Sequence, residues 1–333
     1  MVTGVLCTAM FRREYLDQIA GAFAPAPVYF FAPEDSSGIA SVLDKIDIAV
    51  LDGDLNGQIL EAQNLRWVHC CHAGLDKSAR PEVFRRGIAL TSAAGRSRLS
   101  LAEHVFFFAL GHVYDVYRLH ENQKNRLWKP MVEQYAVSRG LSGTTMGIIG
   151  LGNTGMEAAS MAKAFNMRVL GYSRGERKTL PANVDEYYHA GQAGGLDTLL
   201  RESDFVVLCC RLSDQTYRLI GEREFSLMKP SAVLINMARG AVVDEAALVT
   251  ALKTGVIAGA ASDVFEIEPL PAESPLWDLP NMMITPHATP RVADIQANSL
   301  DILLENIRRY KDGTPMLNRL TEEDVYTGGK DGG

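Results

Sequence analysis

Short apolar runs alternate with amphipathic stretches along the first third of the chain. The runs predict β-strands at 5–7, 28–31, 46–51, 65–71 and 88–91. The segments between them, such as 15–23 and 57–63, have the residue spacing of helices. Alternation of strands with helices is typical of β-α units, which form a parallel sheet covered by helices on both faces. We therefore expect a first α/β unit in this part of the chain.

The same alternation returns further along, after one long helix. Ser100 and Glu103 have the spacing of a capping box, and an apolar pattern continues toward Leu119, so we expect this helix to bridge two domains. Later strands are predicted at 147–149, 168–172, 205–209, 232–236, 257–261 and 282–285. A last amphipathic helix is predicted at 292–310. The pattern as a whole indicates an α/β protein with two doubly wound parallel sheets.

A glycine-rich turn opens the second unit. The apolar run 147–149 ends in Gly150-x-Gly152-x-x-Gly155, and an Ala- and Met-rich helical stretch follows. The first glycine permits a tight turn, the second lets backbone approach a pyrophosphate, and the third lets the helix pack closely on its strand. The first unit has no such motif. We therefore predict a dinucleotide site in the second unit.

The residues after the next strand bear on the choice of nicotinamide cofactor. An NAD site is expected to carry an acid there for the ribose 2′-hydroxyl, but this chain has Ser173 followed by Arg174. Both can bind a 2′-phosphate, with Arg177 or Lys178 assisting. The alternatives are a solvated basic turn and a ribose contact from Glu176. We predict that NADP(H) is preferred and that NAD(H) is possible.

Length, charge and cysteine content narrow the functional class. The 333 residues suffice for two domains, and 47% hydrophobic with 22% charged residues describes a globular protein. A net charge of −7 argues against nucleic acid as a partner. No apolar run has membrane-spanning length, and no signal peptide is apparent. Five cysteines, an odd number, suit a reducing compartment, so we expect a cytoplasmic protein without a membrane partner.

Adjacent histidines and cysteines raise the question of a metal site. The run 69–72 reads His-Cys-Cys-His, but on a strand only Cys70 and His72 point to the same face and could share an ion. We therefore predict buried, inert thiols at 70–71 and 209–210, and no metal. The histidines of the long helix are expected to be packed or solvent-facing rather than catalytic; they are His104, His112 and His120.

Four sequence motifs together resemble one enzyme family. They lie at 145–155, 235–240, 263–269 and 285–287, and the sequence is similar to the D-isomer-specific 2-hydroxyacid dehydrogenases in their order and spacing. The resemblance covers nearly the whole chain. It implies a Rossmann-type cofactor domain at 101–288, inserted into a flavodoxin-like substrate domain at 1–100 plus 289–333. It also implies an NAD(P)-dependent D-2-hydroxyacid dehydrogenase, or 2-oxo acid reductase, that is a homodimer.

The chemistry of that reaction suits three residues of these motifs. Reduction of a 2-oxo acid needs a hydride at carbon, a proton at the developing alkoxide and a cation for the carboxylate. His287 suits the proton, because imidazole titrates near neutrality, and Glu268 would favour the imidazolium if it binds the other ring nitrogen. Arg239 offers a planar fork for the substrate's oxygens. The resemblance assigns the same catalytic roles, whereas the structural alternatives are a turn residue, a loop charge and a surface ion.

Weaker expectations concern the contacts of cofactor and substrate. The resemblance implies that the backbone amides of Ala73 and Gly74 hold the substrate carboxylate, and that Asp263 lies close to the nicotinamide carboxamide. Arg211 replaces a proline usual in the family, and it either contacts a 2′-phosphate or points to solvent. The residues expected to contact the cofactor are Gly150, Gly152, Asn153, Thr154, Gly155, Ser173, Arg174, Arg211, Met237, Ala238 and Asp263.

The sequence leaves the substrate open. Glyoxylate, hydroxypyruvate, phosphoglycerate or a branched 2-oxo acid would all suit the three catalytic residues, and Arg98 near the pocket would favour an acidic or phosphorylated substrate. Formate fits less well, because its oxidation has no use for a proton-donating His-Glu pair. An alternative of another class is a nucleotide-sensing, corepressor-like interaction protein of the same fold. The acidic balance and the lack of a basic run argue against it.

Overall fold

Residue contacts divide the protein into two compact units. The computed structural model describes residues 2–128, 140–289, 292–293 and 295–328. One unit comprises Met1–Ser97, Leu212–Gln215 and Val292–Gly333, and the other comprises Arg98–Arg211 and Thr216–Arg291. The domain boundaries expected from the sequence, 1–100 plus 289–333 and 101–288, stay predictions.

The first unit is built on a five-stranded parallel sheet. Its strands are β1 Val5–Cys7, β2 Val28–Phe30, β3 Ile48–Leu51, β4 Trp67–Cys70 and β5 Ala89–Ser92. They lie in the order β2-β1-β3-β4-β5 with every pairing parallel, which is the flavodoxin-like order. Its helices are α1 Arg13–Phe23, α2 Ser36–Ala40, α3 Gly57–Leu60, α4 Pro81–Arg85 and, from the end of the chain, α11 Ile295–Asp312. Residue 294, inside the predicted helix 292–310, lies outside the described residues.

The strands of this sheet are apolar because helices cover both of its faces. Leu6 and Val68 are fully buried in one apolar cluster, and Val5 and Trp67 are fully buried in the other. Leu303 of α11 belongs to the second cluster. The burial of neighbouring residues on opposite faces explains why these strands are nearly continuous apolar runs. It also brings a helix from the end of the chain onto the first strands.

The second unit contains a seven-stranded parallel sheet. Its strands are β6 Thr145–Ile149, β7 Arg168–Ser173, β8 Glu186–His189, β9 Phe205–Leu208, β10 Val233–Asn236, β11 Gly259–Ser262 and β12 Met282–Ile284. The order is β12-β11-β10-β9-β6-β7-β8, so successive strands are added on one side of β6 up to β8 and on its other side from β9 onward. In such sheets ligands bind outside the carboxyl ends of the strands at this reversal. The two-sheet α/β architecture predicted from the sequence is confirmed.

In this unit two predictions from the sequence were wrong, one about the long helix and one about a strand that was missed. Its helices are α5 Arg98–Val113, α6 Val116–Lys124, α7 Asn153–Ala164, α8 Gly195–Glu202, α9 Glu222–Leu227 and α10 Glu245–Thr254. The long helix expected to run toward Leu119 is interrupted, because Asp115 adopts a left-handed backbone with φ +48° and its carboxylate accepts the N–H of Arg118. Strand β8 was missed, since its side chains are half-buried or exposed and lack an apolar pattern.

Candidate active site

The glycine turn after β6 has the geometry that its sequence requires. Gly150 has φ +102°, and its N–H donates to the carbonyl of Tyr172 at 2.8 Å. A Cβ on Gly150 would lie 2.5 Å from the amide nitrogen of Cys210. A side chain is therefore excluded both by the left-handed backbone and by the neighbouring chain.

The same turn leaves room for a ligand at the start of α7. A Cβ on Gly155 would lie 2.1 Å from the carbonyl oxygen of Gly150, so this glycine sets how closely α7 approaches the turn. A Cβ on Gly152 would meet no atom of the described part of the chain within 4 Å. Among the residues that the structure describes, no side chain caps the N-terminus of α7, which starts at Asn153 and continues through Thr154. An uncapped helix N-terminus beside open space fits the pyrophosphate of a dinucleotide.

At the end of β7, the predicted phosphate ligands lie beside a tyrosine that sequence reasoning missed. The Ser173 hydroxyl lies 2.6 Å from Tyr187 Oη, and Tyr187 donates in turn to the carbonyl of Gly175. Since the tyrosine proton is used there, the Ser173 hydroxyl donates to Tyr187. Arg174 is exposed. Arg177 contacts the turn directly, because its Nη2 donates to the Leu151 carbonyl at 2.7 Å.

The other predicted cofactor contacts follow the central strands. Arg211 comes after β9 and is exposed, and its carbonyl accepts from the Thr216 hydroxyl at 2.6 Å. Met237 and Ala238 follow β10 and are buried. The side chain of Asn236 fixes this loop, because its oxygen accepts from the Ala238 N–H at 3.0 Å and its amide nitrogen donates to the Arg239 carbonyl at 3.0 Å. These residues share the carboxyl edge of the sheet with the glycine turn.

His287 and Glu268 form a direct pair. Nδ1 of His287 lies 2.7 Å from Oε2 of Glu268, and the second carboxylate oxygen accepts the N–H of Phe265 at 2.9 Å. Both side chains are partly open to solvent, with 44% of the His287 side chain and 34% of the Glu268 side chain exposed. The pair therefore leaves Nε2 of the imidazole directed away from its carboxylate partner.

Arg239 belongs to a loop that packs against the one carrying Glu268. A Cβ on Gly240 would lie 1.8 Å from the carbonyl carbon of Phe265, so only glycine lets these two loops meet. Nη1 of Arg239 donates to the Ala238 carbonyl at 2.8 Å. The loops after β10, β11 and β12 therefore lie together at one edge of the sheet.

Asp263 is a buried carboxylate whose described contacts are with the His287 loop. The residue is 1% exposed, and its carboxylate accepts from the Thr285 hydroxyl at 2.6 Å and from the Ala288 N–H at 3.1 Å. A contact of Asp263 with a nicotinamide carboxamide stays a prediction.

The predicted substrate loop follows β4 in the first unit. Gly74 has φ +73°, and Nδ1 of His72 donates to the Ala73 carbonyl at 2.9 Å. Burial lowers the pKa of His69 to about 3 and raises that of Cys70 to about 12, so both are neutral near pH 7. Among the residues that the structure describes, no group of three metal-ligating side chains could hold an ion.

Two arginines form hydrogen bonds within their own units, and two cysteines are more exposed than the sequence predicted. Arg98 is paired with Glu157 of α7 at 2.8 Å. Arg96 donates to the Cys71 carbonyl in the first unit. The pair 209–210 was predicted to be buried, but β9 ends at residue 208 and both cysteines are partly exposed.

Comparison with known proteins identifies the family. A profile of the NAD-binding domain of D-isomer-specific 2-hydroxyacid dehydrogenases matches residues 106–289. The chain belongs to this family. It is an NAD(P)-dependent 2-hydroxyacid dehydrogenase, as the sequence motifs predicted.

Relatives and solved structures of this family cover nearly the whole dehydrogenase. A glyoxylate reductase of Korarchaeum cryptofilum is 33% identical over 283 residues, which are 84% of this chain and 83% of the relative. A 2-hydroxyacid dehydrogenase of Xanthobacter autotrophicus, solved with NADPH, is 27% identical with a TM-score of 0.79 and covers 97% of this chain and 99% of its own. An NADPH-dependent glyoxylate/hydroxypyruvate reductase of Sinorhizobium meliloti has the same identity and TM-score, covering 97% of this chain and 100% of its own.

The close approach at the glycine turn generates a testable prediction. We expect Gly155→Ala to push α7 away from Gly150 and to raise the Kd for reduced cofactor by about tenfold or more, since overpacking costs roughly 1–3 kcal/mol. Cofactor fluorescence titration measures the effect. Gly21→Ala is the matched control, because a Cβ there meets nothing within 4 Å. Parent-like affinity in folded Gly155→Ala would contradict the assigned geometry.

Proposed function

We propose that this dehydrogenase reduces a small 2-oxo acid to the D-2-hydroxy acid, with His287 as proton donor and Glu268 as its partner. The observation that carries the proposal is the 2.7 Å contact between His287 Nδ1 and Glu268 Oε2. Because the Glu268 carboxylate accepts the proton on Nδ1, the opposite ring nitrogen is left to give a proton to the substrate. Phe265 N–H holds the carboxylate in the orientation that this requires.

The reaction also needs a hydride source and a cation that binds the substrate, for which we propose the cofactor and Arg239. When bound, the reduced nicotinamide cofactor supplies the hydride. Arg239 holds the carboxylate and the carbonyl oxygen of the substrate, because its planar fork of donors matches two oxygens at once. Its place is supported by the packing of Gly240 on the loop of Glu268. The amides of Ala73 and Gly74 are proposed, by family resemblance, as further carboxylate ligands.

Glyoxylate and hydroxypyruvate are the substrates that we propose. The Korarchaeum relative is a glyoxylate reductase, and the Sinorhizobium neighbour acts on glyoxylate and hydroxypyruvate. Arg98, the cation that would have favoured a phosphorylated substrate, is paired with Glu157. Both similar proteins are enzymes, which favours catalysis over the corepressor-like alternative.

Removal of the proton donor tests the proposal. We expect His287→Ala to lower kcat by about 10²–10⁴-fold while the Kd for cofactor stays near the parent value, because general acid catalysis contributes about this much. Loss of reduced-cofactor absorbance with glyoxylate and hydroxypyruvate measures kcat. Glu268→Gln should lower it less, and Glu273→Gln, an exposed acid of the same segment, should leave it unchanged. An unchanged kcat in His287→Ala would remove this residue from the mechanism.

NADP(H) is the cofactor that we propose as preferred. The strand that carries the ribose ligand in NAD sites ends here at Ser173 and is followed by Arg174, without a carboxylate at either position. Arg177 lies at the glycine turn, and its guanidinium carbon is 5.9 Å from the centre of the Tyr187 ring. A cation held by a carbonyl and an aromatic ring is already ordered for a 2′-phosphate. Both structural neighbours named above are complexes with this cofactor.

Truncation of that cation separates the two cofactors. We expect Arg177→Ala to raise the Kd for NADPH by roughly 10–100-fold, since hydrogen bonds to charged groups contribute about 1.5–3 kcal/mol, and to leave the Kd for NADH near its parent value. Arg201→Ala, which removes an exposed arginine from α8, is the control. Equal loss of both affinities would show that Arg177 only holds the Leu151 carbonyl, and the proposed preference would fail.

We also propose a cytoplasmic homodimer formed through the second unit. Large apolar side chains lie exposed along α5 and α6, and they are Leu99, Phe107, Tyr114, Val116, Tyr117 and Leu119. A run of exposed apolar surface of this kind marks a protein interface. The free cysteines of the described chain suit a reducing compartment. No helix among the described residues is long and apolar enough to cross a membrane.

The exposed face of α6 provides the test of the dimer. We expect Tyr117→Glu to convert the protein from twice the mass of one chain to a monomer, because a buried carboxylate without a partner opposes association. Analytical ultracentrifugation measures the mass. Val256→Glu is the control, since Val256 is an exposed apolar residue of the same unit that belongs to neither α5 nor α6. A parent protein that sediments as a monomer at micromolar concentration would overturn the proposal.

A further inference from the structure

The loop that carries His287 is tied to the long helix α5 by a chain of side-chain hydrogen bonds. Nε2 of His104 lies 3.2 Å from the Thr285 hydroxyl, and Nδ1 of the same ring contacts the Thr289 hydroxyl. Thr285 in turn contacts Asp263 Oδ1 at 2.6 Å. One histidine ring therefore binds two threonines that stand on either side of His287 in the sequence.

The donor and the acceptor in each of these hydrogen bonds can be assigned by counting the protons that the groups carry. A carboxylate only accepts, so the single hydroxyl proton of Thr285 goes to Asp263. Thr285 must then accept from His104, which places a proton on Nε2. A neutral ring with this proton has a bare Nδ1, which accepts from Thr289. Burial lowers the pKa of His104, against the opposing effect of Asp263, so the ring is neutral near pH 7.

The backbone of His287 needs such support. Its φ of +47° lies in the left-handed region, which costs a residue other than glycine about 1–2 kcal/mol. The His287 N–H donates to the Asp263 carbonyl at 2.8 Å, and the Ala288 N–H donates to the carboxylate of Asp263 at 3.1 Å. Thr289 N–H donates to the same carboxylate at 3.3 Å. The loop is therefore held by Asp263, the residue at which the series of hydrogen bonds from His104 through Thr285 ends.

The ring of His104 is itself fixed by aromatic neighbours on its own helix. Its centroid lies 4.6 Å from that of Phe108 and 5.3 Å from that of Phe107. A side chain packed in this way has few rotamers open to it, so its two nitrogens keep their directions. Helix α5 thus presents one donor and one acceptor to the loop after β12.

We propose that His104 is a positioning residue, which sets the orientation of the His287 imidazole through Thr285, Thr289 and Asp263. The inference rests on the proposed function, because it gives His287 the role of proton donor. His104 acts only through the loop and makes no contact with the reacting atoms. Its loss changes the placement of the proton donor and leaves the pair with Glu268 chemically intact.

Two variants and one control test this role in the full-length enzyme. His104→Phe removes both ring nitrogens and keeps a flat ring among the aromatic neighbours. Thr289→Val keeps the side-chain shape and removes only the hydroxyl that donates to Nδ1 of His104. His112→Gln is the control, because His112 is a half-buried histidine of the same helix that takes no part in this series of hydrogen bonds.

Kinetics and hydrogen exchange together decide the result. We expect His104→Phe to lower kcat by roughly 10–100-fold, the order expected when a reacting group is misplaced by an ångström, with KM and cofactor Kd near parent values. The Ala288 and Thr289 amides should exchange faster, and the double variant should be no worse than His104→Phe alone. Thr289→Val should change the same quantities in the same direction. His112→Gln should change none of them.

Other outcomes overturn the inference. Parent-like kcat in folded His104→Phe does so, and so does a lower kcat with unchanged exchange of the loop amides. If His104→Phe does not fold, Thr289→Val becomes the test, and parent-like kcat and amide exchange in that variant overturn the inference as well. If the parent enzyme reduces no 2-oxo acid, the proposed function fails by itself, while amide exchange in the same variants still decides whether His104 orders the loop.

Discussion

The carboxyl ends of parallel strands meet at one edge of a sheet, and the candidate site depends on this constraint. The glycine turn follows β6, the Arg239 loop follows β10, the Glu268 loop follows β11 and the His287 loop follows β12. These loops come from four segments of the sequence, and strand pairing brings them to the same side. The reversal of strand order between β6 and β9 opens the space beside the turn.

The carboxylates of Glu268 and Asp263 order these loops, because each accepts hydrogen bonds from both a backbone amide and a side chain. Glu268 uses one oxygen for the Phe265 amide and the other for His287. Asp263, which is buried, accepts from loop amides and from Thr285. Each carboxylate fixes its own loop as well as its partner, so protein groups alone hold the imidazole of His287. The proposed proton transfer needs this kind of preorganisation.

Features that depend on neighbouring residues in the sequence were predicted correctly, whereas features that depend on contacts between distant residues were missed. The glycine turn, the alternating elements and the family were correctly predicted, because a tight turn and apolar spacing are written in neighbouring residues. Strand β8 was missed because an edge strand needs no apolar pattern. The break at Asp115 was missed because the apolar pattern continues across it while the backbone changes direction. Tyr187 was missed because its hydroxyl acts across the sheet on Ser173, which no local pattern records.

The sequence by itself determined the fold class, the dinucleotide motif and the chemical types of the catalytic candidates, since each of these is carried by local spacing or by residue identity. Only the tertiary structure decided which groups share a proton. His104 reaches Thr285 across 181 residues, and a histidine expected to be merely packed or solvent-facing binds the loop of His287. The physical reason is that a hydrogen bond depends on distance and direction in space, and these are set by strand order and helix packing.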